Sequence, residues 1–173
     1  MTGKILGLSA LTLLMITGSG AAVAAHQAEP IGAACHADTE NPLGCRRAAF
    51  RTDNGYFLVA DRGGGWEVNA RVDHPGEWET FTVIPLGDDR IGLQAGNGQY
   101  VSAEAGGGSV LNANRNWIRE WETFTVVPLD RDEIALQTIN GYSVTAENGG
   151  GGAVHANRRW IRDWERFHVV CID

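Results

Sequence analysis

The chain has 173 residues and carries 14 Lys and Arg against 21 Asp and Glu, a formal net charge of −7. Because a phosphate backbone attracts a basic surface, this acidic balance disfavours nucleic acid as a partner. The roughly 130 residues from Cys45 onward suit one domain of ordinary size.

The N-terminal 25 residues have the pattern of a secretory signal peptide. Lys4 precedes the apolar run Ile5 to Ile16, and small residues follow up to Ala25. That run is about a dozen residues long, whereas a membrane-spanning helix needs roughly 20. We therefore expect secretion, to the exterior or the periplasm, and no membrane span. Residues 26–44 are polar and interrupted by proline, which indicates a short arm or linker.

An internal repeat of 43 residues organises the rest of the chain. Three segments obey this spacing: Trp78-Glu79-Thr80-Phe81, Trp121-Glu122-Thr123-Phe124 and Trp164-Glu165-Arg166-Phe167. Asn54-Gly55, Asn97-Gly98 and Asn140-Gly141 follow it too, without an insertion or deletion. We define the first, second and third repeats as residues 45–87, 88–130 and 131–173. Such a constant period means three copies of one unit that share a core.

Each repeat contains four predicted strands. In the second repeat these are Ile91–Gln94, Tyr100–Ala103, Val110–Ala113 and Trp121–Val127, with a tight turn at Asn97-Gly98 and another at Gly106 to Gly108. Closing twelve short strands into a barrel removes exposed edges. The pattern predicts an all-β fold, a β-trefoil with pseudo-threefold symmetry, since a three-bladed propeller falls below the usual four to eight blades. The predicted core comprises Phe50, Leu58, Ala60, Val68, Ala70, Trp78, Phe81 and Val83 with their counterparts in the other repeats.

The motif between Asn97 and Phe124 resembles the fascin-like β-trefoil repeat. It reads Asn-Gly-x-Tyr-Val-Ser-Ala-Glu-x-Gly-Gly-Gly, then Asn-Ala-Asn-Arg, then Trp-Glu-Thr-Phe. The resemblance covers about residues 47–173 and implies the fold. For eukaryotic fascins, which carry four such domains, it implies actin bundling; for related single domains of secreted bacterial proteins it implies carbohydrate attachment. The single domain here does not provide bundling sites on different trefoils, and the Gln-x-Trp signature of ricin-type lectins is missing.

A loop shared by the second and third repeats supplies most candidate binding residues. The segment reads Asn114-Arg115-Asn116-Trp117-Ile118-Arg119 in one and Asn157-Arg158-Arg159-Trp160-Ile161-Arg162 in the other, and the first repeat lacks it. Indole, amide and guanidinium groups are the ingredients of a sugar site. Alternatively, the tryptophans plug the barrel end while the arginines pair with acids. Trp66, beside the first glycine run, is either a ligand platform or a contact for the arm. The ligand-binding candidates are Trp66, Asn114, Arg115, Trp117, Arg119, Asn157, Arg158, Trp160 and Arg162.

The repeated carboxylates do not suggest catalysis. Glu79, Glu122 and Glu165 occupy equivalent places, whereas an acid and a base must differ and face one centre. We expect them to form structural hydrogen bonds. The five histidines show no metal-ligand spacing. We therefore predict no catalytic residue, metal or cofactor, and a binding function: for a glycan first, or for protein, either actin or another extracellular protein.

The repeat frame also predicts a disulfide between Cys45 and Cys171. These positions correspond to the two corners of a four-residue turn in the other repeats, which places the two Cα atoms within about 7 Å. Cys35 would then be the odd thiol. We expect a monomer, although Cys35 would permit a disulfide-linked dimer.

Overall fold

A computed structural model describes residues 41–172, which form an all-β domain of twelve strands. The predicted signal peptide, residues 26–40 of the arm, and Cys35 lie outside the described residues. The strands are β1 (Arg47–Thr52), β2 (Phe57–Ala60), β3 (Val68–Val72), β4 (Phe81–Gly87), β5 (Arg90–Gln94), β6 (Tyr100–Ala103), β7 (Leu111–Arg115), β8 (Phe124–Pro128), β9 (Glu133–Thr138), β10 (Ser143–Ala146), β11 (Gly152–Arg158) and β12 (Phe167–Cys171). Each repeat contributes four.

The first and fourth strands of the repeats close into a six-stranded barrel. Its antiparallel pairs run β1 with β4, β4 with β5, β5 with β8, β8 with β9, β9 with β12, and β12 back to β1. The last of these extends from Ala48 opposite Cys171 to Thr52 opposite Phe167. Closure leaves none of the six with an unpaired edge.

The second and third strands of each repeat form a hairpin over one end of the barrel. The three hairpins contact each other through short pairings: Gly152 with Ala70, Glu67 with Asn112, and Val110 with His155. A closed barrel capped by three hairpins around a pseudo-threefold axis is the β-trefoil, so the predicted fold is confirmed.

The core consists of apolar side chains at equivalent places in the three repeats. Phe81, Phe124 and Phe167 are fully buried, as are Phe50 and its counterparts Leu93 and Leu136. The assignment of the repeated tryptophan to the core is wrong, because Trp78, Trp121 and Trp164 are 47%, 40% and 39% exposed.

A one-turn 3-10 helix explains why Trp121 and Trp164 face outward. The strand predicted to begin at Trp121 begins at Phe124, and Trp121 lies in the turn Glu120–Glu122. Successive residues of such a turn point about 120° apart. Since Glu122 is buried, its neighbour Trp121 is directed into solvent.

The glycine runs make the predicted chain reversals. Gly106, Gly107 and Gly108 have φ values of 76°, 121° and 92°. A Cβ on Gly107 would lie 2.5 Å from Cδ2 of Tyr142. Both the backbone angle and the lack of space therefore require glycine at this position.

Cys45 and Cys171 lie at disulfide distance, with their Cα atoms 5.8 Å apart, as the repeat frame predicted. The bond joins residues at the two ends of the domain, 126 positions apart in sequence. Within residues 41–172, no helix has the length and apolar character needed to cross a membrane.

Candidate functional site

Two equivalent surface pockets lie on the loops that lead to the fourth strands of the second and third repeats. The second-repeat pocket, of 670 Å³, is lined by Arg115, Trp117, Arg119, Glu120, Trp121 and Glu122. The third-repeat pocket, of 350 Å³, is lined by Arg158, Trp160, Arg162, Asp163, Trp164 and Glu165. Every lining residue of one has its counterpart in the other 43 positions away. The two pockets are therefore symmetry-related copies of one site.

Two tryptophans four residues apart form the walls of each pocket. Trp117 and Trp160 are both 54% exposed. The interpretation that they plug the barrel end is therefore wrong. Trp121 and Trp164 stand beside them and leave about two fifths of their surface in solvent. Each pocket thus presents accessible indole surface on two sides.

The buried glutamate at the base of each pocket holds the loop in shape. Glu122 accepts a hydrogen bond from the backbone N–H of Arg119 at 3.0 Å, and Glu165 accepts one from Arg162 at 2.9 Å. In the first repeat Glu79 accepts one from Gly76 at 2.8 Å. The predicted hydrogen-bonding role is therefore confirmed for all three.

One arginine of each pocket is engaged by acids. The Arg115 guanidinium lies 2.6 Å from Glu104 and 3.7 Å from Glu122. The Arg158 guanidinium lies 2.9 Å from the Glu147 carboxylate, and it also lies over the Trp164 ring at 5.2 Å. For these two arginines the predicted pairing with acids is correct.

The pKa of Glu147 reflects the charges next to the third-repeat pocket. Burial alone would raise the pKa of this carboxyl group, but hydrogen bonds and charge attraction from Arg158, with a hydrogen bond from Asn157, outweigh it. The net result is a pKa below the ordinary value of 4.5. Glu147 therefore stays ionised at neutral pH and fixes the position of Arg158.

The other arginine of each pocket is held by an aromatic ring instead. The Arg119 guanidinium lies 5.5 Å from the Trp117 ring centroid, and that of Arg162 lies 5.8 Å from the Trp160 centroid. Such cation–π contacts orient a guanidinium without using its N–H groups. Neither side chain has an acidic partner within ion-pair distance among residues 41–172. Their donors are therefore available to a ligand.

Three predicted site residues lie outside these pockets. Asn157 donates a hydrogen bond to Glu147 at 3.4 Å, and Asn114 has a buried side-chain oxygen that lacks a partner among the described residues. Trp66 is 55% exposed, with the Arg62 guanidinium 4.8 Å from its ring centroid, but it lines neither pocket. No contact of Trp66 with residues 26–40 can be described, because those lie outside the described range.

Sequence reasoning missed Trp121 and Trp164, which it assigned to the core, and Glu120 and Asp163, which it did not consider. The repetition of the tryptophan in all three repeats indicated packing. The sequence did contain a signal against this assignment. In every repeat the tryptophan directly precedes a glutamate, and that glutamate has to be buried next to the core.

The first repeat lacks three of the side chains that line the two pockets. Val72, His74 and Gly76 stand where the other repeats carry arginine, tryptophan and arginine. Trp78 is retained, but it lines a different cleft. Among residues 41–172, no group of three or more His, Cys, Asp or Glu side chains is arranged to hold a metal ion.

The fold has a counterpart among solved structures. The crystal structure of ThreeFoil, a designed threefold-symmetric protein, matches with a TM-score of 0.66, covering 73% of this chain and 99% of that chain. The sequences are only 16% identical, so the likeness shows the β-trefoil fold alone. No protein-family model and no curated protein matches the chain. The resemblance to fascins therefore rests on the sequence motif alone.

Proposed function

We propose that this protein is a secreted, non-catalytic module that binds carbohydrate through its second-repeat and third-repeat pockets. The observation that carries the proposal is the duplicated set of two exposed tryptophans, a free guanidinium and an acidic rim on one rigid frame. The disulfide pair is in keeping with an oxidising compartment.

The side chains of each pocket suit a sugar ring. The apolar face of a pyranose can stack on an indole, while its hydroxyls require planar donors and acceptors around the edge. Trp117 and Trp121 would supply the stacking surface of the second-repeat pocket. Arg119 and Glu120 would supply donors and acceptors, because neither is in an ion pair among the described residues. The third-repeat pocket offers the same groups.

The duplication itself favours a repetitive ligand. Two weak sites on one rigid body gain avidity when both engage a polymer or a cell surface, but a short free sugar uses only one. We therefore expect strong binding to a surface and weak binding to a mono- or disaccharide.

The buried glutamates support binding rather than conversion of the ligand. Both oxygens of Glu165 already have partners: the Arg162 N–H at 2.9 Å and the Thr145 hydroxyl at 2.9 Å. A general acid or base must instead meet the reacting group.

The test is a glycan array probed with residues 26–173, followed by affinity measurements on the polymer identified. Trp117→Ala and Trp160→Ala should each weaken binding by about 1 to 3 kcal/mol, and the double variant should weaken it further. Trp66→Ala is the matched control, since that tryptophan is equally exposed but lies outside both pockets. Thermal unfolding should change little in all variants, because the removed rings are half in solvent. A double variant that binds like the parent would contradict the proposal.

Protein binding is the second candidate. Exposed tryptophans beside arginines are enriched at the energetic centres of protein interfaces, and Trp117 with Arg119 is such a pair. Cosedimentation with actin filaments tests the form that the fascin resemblance implies. This candidate would be favoured if the protein binds actin filaments, if Trp117→Ala abolishes that binding, and if no glycan on the array is bound.

A further inference from the structure

A third cleft, chemically unlike the two pockets, opens at the seam between the first and second repeats. This seam cleft has a volume of 550 Å³. Gly63 and Trp78 of the first repeat line one side, and Gln94 to Gly98 of the second repeat line the other, with Arg47 and Arg62 also contributing.

The cleft exists because two side chains are missing from one of three equivalent seams. Ala95 and Gly96 stand where the seam of the second and third repeats has Thr138 and Ile139. There the Thr138 hydroxyl donates to the carbonyl of Gly106 at 2.7 Å, and Ile139 covers the same glycine, with its Cγ2 atom 3.2 Å from a Cβ placed on Gly106. Ala95 and Gly96 cannot provide either contact.

The asparagine of the tight turn also behaves differently at this seam. Asn140 donates from its side chain to the Ala105 carbonyl at 3.1 Å, and Asn54 donates to the Asn148 carbonyl at 2.9 Å. Asn97 uses its backbone N–H for the bond to Gly63, at 2.9 Å, and its side-chain amide bonds Gln99 at 2.7 Å. The space over Gly63 is bordered instead by the Trp78 ring, 3.4 Å from a Cβ placed on that glycine.

The charges of the seam cleft differ from those of the other seams. The position of Arg47 corresponds to Arg90 in the second repeat and to Glu133 in the third. Arg90 is paired with Asp88 at 2.9 Å. Arg62 is replaced by Ala105 and Asn148. Neither Arg47 nor Arg62 has an ion-pair partner among residues 41–172. Against these two guanidiniums the cleft lining contains one carboxylate, Glu77.

We propose that the seam cleft is a separate binding site for an acidic sugar residue, a uronate. The ring would stack on Trp78, which is 47% exposed, and the carboxylate would be bound by the guanidinium of Arg47 or Arg62. Guanidinium groups match a carboxylate with paired hydrogen bonds, and a positive cleft on an acidic protein concentrates such a ligand. The inference rests on the seam alone and does not require the two pockets to bind sugar.

The probe is a trigalacturonate, with the same oligosaccharide reduced at its carboxyl groups as the neutral control. Calorimetry uses residues 26–173 carrying Trp117→Ala and Trp160→Ala, so that the two pockets do not contribute. We expect trigalacturonate to bind, the reduced form to bind at least tenfold more weakly, and Arg47→Gln with Arg62→Gln to weaken trigalacturonate binding at least tenfold.

A cleft-filling variant tests the location. Gly96→Ile introduces the residue found at the seam of the second and third repeats, and the nearest atom to a Cβ at this position is the Glu77 carbonyl oxygen at 3.7 Å, an ordinary contact distance. We expect Gly96→Ile to abolish trigalacturonate binding while the melting temperature stays within a few degrees of the parent. Absence of binding in the parent, equal binding of the reduced form, or unchanged binding by Gly96→Ile would each overturn the proposal.

Discussion

The second and third repeats bury equivalent hydroxyl groups that differ in their hydrogen bonding, and removing each hydroxyl tests how the glutamates are held. Ser102 and Thr145 occupy equivalent positions, and both are fully buried. The Thr145 hydroxyl donates to the Glu165 carboxylate at 2.9 Å, with a second acceptor, the Ser143 carbonyl, at 3.2 Å. The Ser102 hydroxyl has no hydrogen-bond partner among residues 41–172.

We expect Thr145→Val to lower the free energy of unfolding by about 1.5 to 3 kcal/mol, the net value of a hydrogen bond to a charged group. Valine keeps the shape of threonine, so no cavity adds to this loss. Ser102→Ala removes a hydroxyl that already lacks a partner, so its effect should stay within about 0.5 kcal/mol. The two substitutions therefore separate hydrogen bonding from burial.

Urea unfolding followed by tryptophan fluorescence measures both values with one probe. The m-values should be equal, since neither change alters the surface that unfolding exposes. Equal destabilisation by the two variants, or a stable Thr145→Val protein, would refute the reasoning that the buried glutamate depends on this hydroxyl.

Three further predictions concern stability. The pKa of Glu147 lies below its ordinary value of 4.5, so this group adds to the free energy of unfolding above that pH, and the gain is lost as the pH falls through the folded-state pKa. Glu147→Gln should therefore make the free energy of unfolding less dependent on pH, measured between about pH 6 and 3. Reduction of the disulfide between Cys45 and Cys171 should cost roughly 5 kcal/mol in the chain-entropy model, seen as a lower melting temperature in dithiothreitol than without it. Gly107→Ala should destabilise the domain by about 2 to 4 kcal/mol, through its positive φ and lack of space, whereas Gly152→Ala, with open space around it, should change little in the same calorimetric scan.

The sequence alone determined the architecture, because a constant 43-residue period leaves few ways to bury three identical faces. It located the tight turns at Asn-Gly and the glycine runs, since these residues have specific backbone angles, and it placed Cys45 near Cys171 by symmetry. It also identified the loop that carries Trp117 and Trp160 as the feature not required by the core.

Only the tertiary structure decided which side of the backbone each aromatic ring faces. Periodicity assigns a residue to a strand, but Trp121 lies in a single 3-10 turn, where no period can be read and the burial of Glu122 sets the direction of its neighbour. The seam cleft was equally invisible in the sequence, since Ala95 and Gly96 matter only through the neighbouring repeat that they fail to contact. Orientation and complementarity between segments distant in the chain depend on packing, and packing is decided in three dimensions.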